Sequence, residues 1–365
     1  MPDRIKIGLV GTGNIANSHL RAIKAHEGRA EVVAAMDVDQ GRLDEFCEKH
    51  DIPNSYKSVE DMLAAEQLDL VDVCTPPGAH ADPAIAALDA GASVLVEKPP
   101  CLSLEDFDRI AEAEKRNKGH FITVFQHRFG SAGRHVKHLI DDGLLGAPYV
   151  SICHTLWFRG DAYYEVPWRG RWDTEGGGPT MGHGIHQIDL LGHLLGEWTE
   201  ISATAARMAR HVQTEDVSFA HVSFASGAIA SVVNSILSPR EESYQRFDFA
   251  RGTLELTHLY GYDAQSWRFT PAPGVEAGPE IWPAPGPDVK SSHAAQYGDI
   301  LDSLERGERP GSTGPGARRT LELVTGLYAS AFTGTRVRRE DLSPGNPFYH
   351  RLHGDHPDWA PTATA

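Results

Sequence analysis

Positive charge is scarce in this chain. Over 365 residues, 34 lysines and arginines face 50 aspartates and glutamates, for a formal net charge of -16. That balance disfavours phosphate backbones and anionic headgroups, so neither nucleic acid nor a membrane surface is expected as a partner. Cysteine is sparse as well. Cys47, Cys74, Cys101 and Cys153 are scattered without a Cys-x-x-Cys pair, which argues against a disulfide framework and fits reduced thiols in a cytoplasm. No apolar run is long enough to span a bilayer. Glycines at 8, 11 and 13 interrupt the apolar start, so the N-terminus reads as a strand and no signal peptide is expected. Internal repeats are absent. The apolar and charged fractions, 41% and 23%, are those of an ordinary globular protein, and the length suffices for two domains with separate cores.

What is present begins at once. Ile5-Lys6-Ile7-Gly8-Leu9-Val10 is a short apolar strand that turns into Gly11-Thr12-Gly13-Asn14-Ile15-Ala16 and then a helical pattern through Leu20 and Ile23. A strand, Gly-x-Gly-x-x-Ala and a helix in that order suit a dinucleotide pyrophosphate. Gly11 permits the tight turn, Gly13 lets backbone N–H groups approach phosphate, and Ala16 allows close helix–sheet packing. A second strand, Val32–Met36, ends in Asp37, where a carboxylate is placed to accept both ribose hydroxyls. Asp37 favours NAD over NADP, since it repels a 2′-phosphate and no arginine immediately follows it; Arg42 lies a few residues on.

Strands and helices then alternate to Phe125: Leu70–Cys74, a helix around Ala84–Leu88, Ser93–Val96, a helix capped near Ser103 and running to about Asn117, and Phe121–Phe125. Alternation with short connections predicts a doubly wound, mostly parallel sheet, with ligands beyond its carboxyl edge. Asp37, Thr75, Lys98 and Gln126 all follow strands and are expected to line that crevice. From Tyr149 longer strand-like runs follow one another, including Val217–Phe224 and Ala228–Leu237 around a Ser226-Gly227 turn. The expected organisation is a Rossmann domain over 1–125 and an α+β domain with a large, mostly antiparallel open sheet over 126–345. A loosely held tail over 346–365 completes it. Helices near 294–306 and 317–332 are expected to return toward the first domain, and Thr270–Pro287 to be a surface excursion.

Three segments carry candidate chemistry. Glu97-Lys98-Pro99 closes a strand in the expected crevice, and a lysine there, beside a cofactor that becomes positively charged on oxidation, is suited to proton transfer near neutral pH. Gly176–Asp189 is a glycine run leading into a helix, with His183 before it and His186, Asp189 and His193 along it. The glycines are read as letting backbone pass close to a ligand, and His186 as an acid–base group. His183, His186 and Asp189 match no zinc-ligand spacing, so no metal is expected. Tyr163–Trp172 is dense in aromatic and guanidinium groups, which suit sugar rings and carboxylates, with at least one tryptophan expected to anchor the loop to the core.

In order along the chain, Gly11–Ala16, Cys74-Thr75-Pro76-Pro77-Gly78-Ala79-His80, Glu97-Lys98-Pro99 and Gly176–Asp189 resemble the glucose–fructose oxidoreductase / inositol dehydrogenase / rhizopine-catabolism family of NAD(P)-dependent dehydrogenases. The resemblance spans nearly the whole chain. It implies oxidation of secondary alcohols on cyclic polyols and sugars, and homodimers or homotetramers built through the C-terminal sheet. Gly11, Thr12, Gly13, Asn14, Ile15, Asp37, Thr75, Pro76, His80, Glu97, Lys98 and Gln126 are then expected at the cofactor, with Lys98 and His186 catalytic. Arg128, Tyr164, Trp168, Arg169, Trp172, His183 and His186 are expected at the substrate. One departure stands out: many members carry an aspartate where this chain has Gly182, with His183 beside it, which leaves the general base open. Cleavage of a glycosidic bond through transient oxidation, and a non-catalytic NAD-binding sensor, are the alternatives to net dehydrogenation.

Overall fold

The computed structural model describes residues 4–276, 278, 281–356 and 358–359. The chain forms two compact bodies. The first takes the chain up to Cys101, Asp106–Val124 and His293–Ala317; the second takes Leu102–Glu105, Phe125–Ser292 and the chain from Arg318 onward. The division is therefore not the single cut expected after residue 125. The helix His293–Arg306 belongs to the first body as anticipated, whereas Pro315–Thr333 lies mostly in the second.

In the first body, six strands run parallel: β1 (Ile5–Val10), β2 (Ala30–Met36), β3 (Asn54–Tyr56), β4 (Leu70–Val73), β5 (Ser93–Val96) and β6 (Phe121–Thr123), in the order β3-β2-β1-β4-β5-β6. β4 and β5 are buried along their whole length, as sheets covered on both faces require, which is why they read as nearly continuous apolar runs. Helices α1 (Ala16–Lys24), α2 (Gln40–His50), α3 (Val59–Ala65), α4 (Ala81–Asp89) and α5 (Leu104–Arg116) follow the strands. One core joins Ile7, Leu70, Leu95 and Ile122 to Ile23, Tyr297, Ile300 and Leu301. A second joins Leu9 and Ala35 to Leu20, Leu43 and Phe46. The strand order reverses between β1 and β4, so the carboxyl ends of the strands open a crevice there.

The second body is built on eight strands: β7 (Pro148–Phe158), β8 (Trp198–Ala206), β9 (Val217–Phe224), β10 (Ile229–Ser235), β11 (Leu237–Phe249), β12 (Gly252–His258), β13 (Trp267–Pro271) and β14 (Val337–Arg338). Their order is β13-β12-β11-β7-β10-β9-β8-β14, antiparallel throughout except for β7 with β10. α6 (Ser131–Asp141), α7 (Pro179–Gly182) and α8 (Ile185–Leu195) precede or interrupt these strands, and α8 packs on β7 and β11. Along β7, β9 and β10, alternate residues are buried on the helix side, while Val150, Phe219 and Ile229 on the opposite face are 52%, 52% and 45% exposed.

Two local expectations are corrected. Part of the supposed surface excursion at 270–287 is strand, since β13 pairs with β12 and its otherwise polar run is anchored by buried Trp267. Residues 346–352 of the expected tail are held in place. Asn346 caps a short helix, Pro347–His350, and Phe348, Tyr349 and Leu352 are buried. Pro357 and residues 360–365 of that expected tail lie outside the described residues. Among the described residues, no helix is long and apolar enough to cross a membrane.

Candidate active site

The first body presents an anion cradle. Gly11 sits at φ +92°, and its N–H bonds Met36 O at 2.8 Å; a Cβ there would stand 3.0 Å from the Cys74–Thr75 backbone. A Cβ on Gly13, by contrast, would meet nothing within 4 Å. That open space, directly before the start of α1, leaves room for phosphates against backbone N–H groups and a helix N-terminus without a side-chain cap. These residues fit a dinucleotide. Asn14 is exposed and Ile15 half-buried at the same turn.

Asp37, at the end of β2, is more heavily engaged than the sequence reading assumed. Its Oδ2 accepts from Thr12 N at 2.8 Å, Thr12 Oγ1 at 2.9 Å and Arg42 Nε at 3.0 Å. Its Oδ1 accepts from Asp39 N at 2.9 Å and Arg42 Nη2 at 2.6 Å. Burial works against the charge, but these donors hold the carboxyl well below its ordinary range. The carboxylate is ionised, as a ribose acceptor must be, yet Arg42 occupies it.

After β4, Thr75 Oγ1 donates to Ala79 O at 3.1 Å, and Pro76 leads into the turn Pro77–Ala79. The His80 ring lies 2.8 Å from both Thr75 O and Pro99 O, tying the ends of β4 and β5 together; burial lowers its pKa against these two contacts. Lys98 follows β5, partly exposed, with its N–H donating to Glu97 Oε2 at 2.9 Å.

Glu97 belongs to a buried network that sequence reasoning missed. Its Oε1 lies 2.9 Å from His19 Nε2 and 3.3 Å from His293 Nε2. His19 Nδ1 in turn lies 2.8 Å from Asp72 Oδ2, which also accepts from Tyr297 Oη. Asp72 and His19 have no exposed surface. One signal was available: an aspartate in the middle of Leu-Val-Asp-Val, an otherwise apolar central strand, needs a buried partner.

In the second body, α8 carries His186, which is 2% exposed and packs its ring 5.1 Å from that of His127 and 5.8 Å from that of Tyr260. His183, just before α8, is flanked by the rings of Trp157 and Tyr163 at 5.2 and 5.6 Å. Gln126 donates to Tyr260 Oη at 3.1 Å. Arg169 lies between two aromatic faces, 3.8 Å from the Tyr163 centroid and 4.4 Å from that of Trp168, while Tyr164 packs edge-on to Tyr163. A carboxylate completes this cluster. Buried Glu175 accepts from Gly170 N at 2.6 Å and pairs with Arg169 at 3.2 Å, and a Cβ on Gly182 would stand 3.6 Å from its Oε1. Gly182 thus lacks a carboxyl of its own but adjoins one supplied by the loop.

Three of the expected site features have structural engagements of their own. Trp172 is buried in an aromatic box with Tyr328, Phe332 and His353, so it anchors the loop to the core. Arg128 is buried and directs Nε and Nη2 at Asp189, at 2.7 and 2.5 Å, with Thr320 also donating to that carboxylate; its charge is neutralised within the fold. In the glycine run, packing alone requires two of the glycines: a Cβ on Gly177 would lie 2.2 Å from Tyr328 Oη, and one on Gly178 1.8 Å from Glu215 O.

The chain is similar to known proteins over most of its length. Residues 5–125 match the family described as the oxidoreductase family with an NAD-binding Rossmann fold, and residues 134–255 match the GFO/IDH/MocA C-terminal domain. The chain is 28% identical to D-apiose dehydrogenase of Paraburkholderia graminis over 94% of this chain and 92% of that one. It is 33% identical to inositol 2-dehydrogenase of Salmonella typhimurium over 53% of this chain and 55% of that one. Among solved structures, the WlbA dehydrogenase of Bordetella pertussis, in complex with NADH and UDP-GlcNAcA, superposes with a TM-score of 0.83 at 28% identity. That likeness covers 92% of this chain and 99% of that one.

Proposed function

Because the chain belongs to the Gfo/Idh/MocA family of NAD-binding oxidoreductases, we propose that it oxidises a secondary hydroxyl of a cyclic sugar or polyol with NAD. One observation carries the reading. Lys98 stands at the carboxyl end of β5, on the same edge of the parallel sheet as the Gly11–Ile15 cradle and Asp37. When bound, the nicotinamide ring accepts the hydride. Lys98 takes up the hydroxyl proton, His186 is the second acid–base group, and His183, Tyr164, Trp168 and Arg169 hold the sugar ring. Aromatic faces with interleaved guanidinium groups suit the apolar faces and hydroxyl rims of a pyranose or cyclitol. Positioning supplies much of the rate, because hydride transfer demands close, aligned approach.

The exposed apolar face of the second sheet, with Val150, Phe219 and Ile229, supports assembly with a second copy of the chain. The functional reading is tested by screening inositols, aldoses, anhydrosugars and sugar acids for NADH formation, then repeating the best substrate with Lys98→Met. Turnover is expected to fall by about two to four orders of magnitude with NADH binding retained. Silence across the panel together with cleavage of an aryl glycoside, or full turnover by Lys98→Met, would overturn it.

A further inference from the structure

His19 is the only side chain of the first body described here with a carboxylate at each ring nitrogen. Nδ1 lies 2.9 and 2.8 Å from the two oxygens of Asp72, and Nε2 lies 2.9 Å from Glu97 Oε1. An ionised carboxylate only accepts, and a neutral imidazole carries a single N–H. With both carboxylates ionised, both contacts are satisfied together only by the imidazolium. The alternative is a buried carboxylate facing a bare nitrogen lone pair, and the low dielectric of a core makes that arrangement costly.

The position of His19 gives this charge a consequence. It lies on α1, the helix whose start forms the phosphate cradle, while Asp72 lies on β4 and Glu97 at the end of β5. Glu97 uses its other oxygen to accept the N–H of Lys98 at 2.9 Å. We propose that His19 is a positioning residue: a fully buried imidazolium that keeps Glu97 ionised and oriented, and through it fixes the turn that presents Lys98, so that the cradle helix and the lysine move as one unit. The inference rests on the functional reading above only in taking Lys98 as the acid–base group.

The surroundings of His19 are consistent with this role. From the helix His293–Arg306, His293 faces the same Glu97 oxygen, its ring 4.9 Å from that of His19, and Tyr297 donates to Asp72. From the end of β4, Cys74 Sγ lies 3.8 Å from Asp72 Oδ1, and burial pushes its thiol up to about 12, so it is neutral. His80 braces the neighbouring turn through Thr75 O and Pro99 O. Burial opposes charge on His19, but the attraction and hydrogen bond of Asp72 together with those of Cys74 raise the pKa well above the ordinary value; burial likewise opposes charge on Glu97, and the His19 and His293 contacts lower its pKa. Two carboxylates around one imidazolium leave the buried set one negative charge from neutral.

His19 has no exposed surface, so its effect is expected to be separable from binding. The test compares His19→Asn, whose amide reaches only toward Asp72, with His19→Gln, whose longer amide reaches toward Glu97. His19→Asn is expected to lose on the order of ten- to a hundredfold in kcat, with NADH affinity, read by fluorescence, within about threefold. His19→Gln is expected to recover part of that loss. The acid limb of the kcat profile is expected to move to higher pH in His19→Asn, because removing the cation leaves the turn more negative and favours the lysine ammonium. Nitrogen-15 spectra of the histidine-labelled wild-type protein provide a readout that needs no variant: both His19 nitrogens should remain protonated at pH 8. A neutral tautomer at pH 7, or wild-type kcat and pH profile in both variants, would overturn the proposal. Lys98→Met assayed in parallel keeps the two readings apart. An inactive Lys98→Met beside a wild-type-like His19→Asn refutes the role of His19 alone. A fully active Lys98→Met refutes the lysine assignment, and with it the role given to His19, while leaving the protonation state as measured.

Discussion

Arg42 grips Asp37 with two parallel hydrogen bonds, Nε to Oδ2 at 3.0 Å and Nη2 to Oδ1 at 2.6 Å. Thr12 and Asp39 add three further donors to the same carboxylate, more in total than its roughly four lone-pair sites hold comfortably. The Arg42 side chain is 48% exposed, so it is the partner able to leave when a ribose diol docks. The same guanidinium is a ready partner for a 2′-phosphate. Arg42→Ala is therefore expected to leave kcat/KM for NAD unchanged or higher and to lower any activity with NADP about tenfold. That is the loss of one charge-assisted contact, on the order of 1.5 kcal/mol. An unchanged NADP/NAD ratio would show that Arg42 plays no part in cofactor choice.

Glu175 is the carboxylate nearest the site of the side chain that Gly182 lacks, and it also neutralises Arg169 between Tyr163 and Trp168. Together with burial it pushes the Tyr163 phenol up to about 12, so that ring is neutral at working pH. Glu175→Gln keeps the size and one acceptor for the Gly170 N–H but removes the charge. Loss of a charged hydrogen bond in a buried cluster is expected to lower kcat/KM by about tenfold. NADH affinity should be unchanged, because Gly170, Glu175 and Arg169 all lie in the second body while the cradle lies in the first. Equal losses in turnover and in NADH affinity would refute this division of labour.

The sequence alone allowed the β1–β6 body to be read almost strand for strand, because fully buried parallel strands are short apolar runs separated by turn signals. The second body was legible where strands alternate cleanly, as in β9, and less so at β11. There Pro239-Arg240-Glu241-Glu242 interrupts the pattern at a register shift while the strand continues beside β7. Individual roles were harder. Trp168 and Trp172 sit four residues apart in one loop, and only packing shows that the second is in the core. Arg128 and Asp189 are 61 residues apart and pair in the interior, which no local pattern announces. His19 is one polar position in an amphipathic helix. Its importance depends on Asp72 and Glu97, brought to it by the sheet order.

Glu215 predicts a pH dependence of stability. It is fully buried, accepting from Gly178 N at 2.9 Å, Thr180 N at 3.0 Å and Tyr328 Oη at 3.0 Å, and so it pins the start of α7 ahead of His183 and His186. Burial lifts its carboxyl to about 7 despite these donors. A carboxyl raised in the folded state contributes stability that is complete below its ordinary value of 4.5 and is lost as pH rises through about 7. The contribution of Glu215 to the unfolding free energy should accordingly fall between about pH 4.5 and 7, by roughly 1–3 kcal/mol, against the opposite trend of buried His193 and His258. The difference in unfolding free energy between wild type and Glu215→Gln, from urea melts taken across the range, should therefore shrink as pH rises. A difference that grows with pH would mean that the backbone donors outweigh burial.

Val150 and Ile229 are directly paired across β7 and β10, and Phe219, on β9, lies on the same face. Three large apolar side chains, each about half exposed, form a patch on a sheet whose other face carries α8. A chain with net charge -16 keeps such a patch open to water only at some risk of aggregation, whereas a second copy would cover it symmetrically, each residue serving twice. Val150→Glu together with Phe219→Glu would place charge on both sides of the joint. Complete burial of each original side chain is worth roughly 1.5–3 kcal/mol. Four such losses in a twofold pair, even at half that value for side chains already half covered, amount to a weakening of at least about a hundredfold in Kd. Light scattering on the eluting peak should give a multiple of the single-chain mass for the wild type and the single-chain mass for the double variant. Surface changes of this kind typically shift monomer stability by about 0.5 kcal/mol or less, so a matched thermal melt separates lost assembly from lost folding. If the wild type elutes as a single chain, or the charged variant keeps the wild-type mass, this face does not hold the copies together.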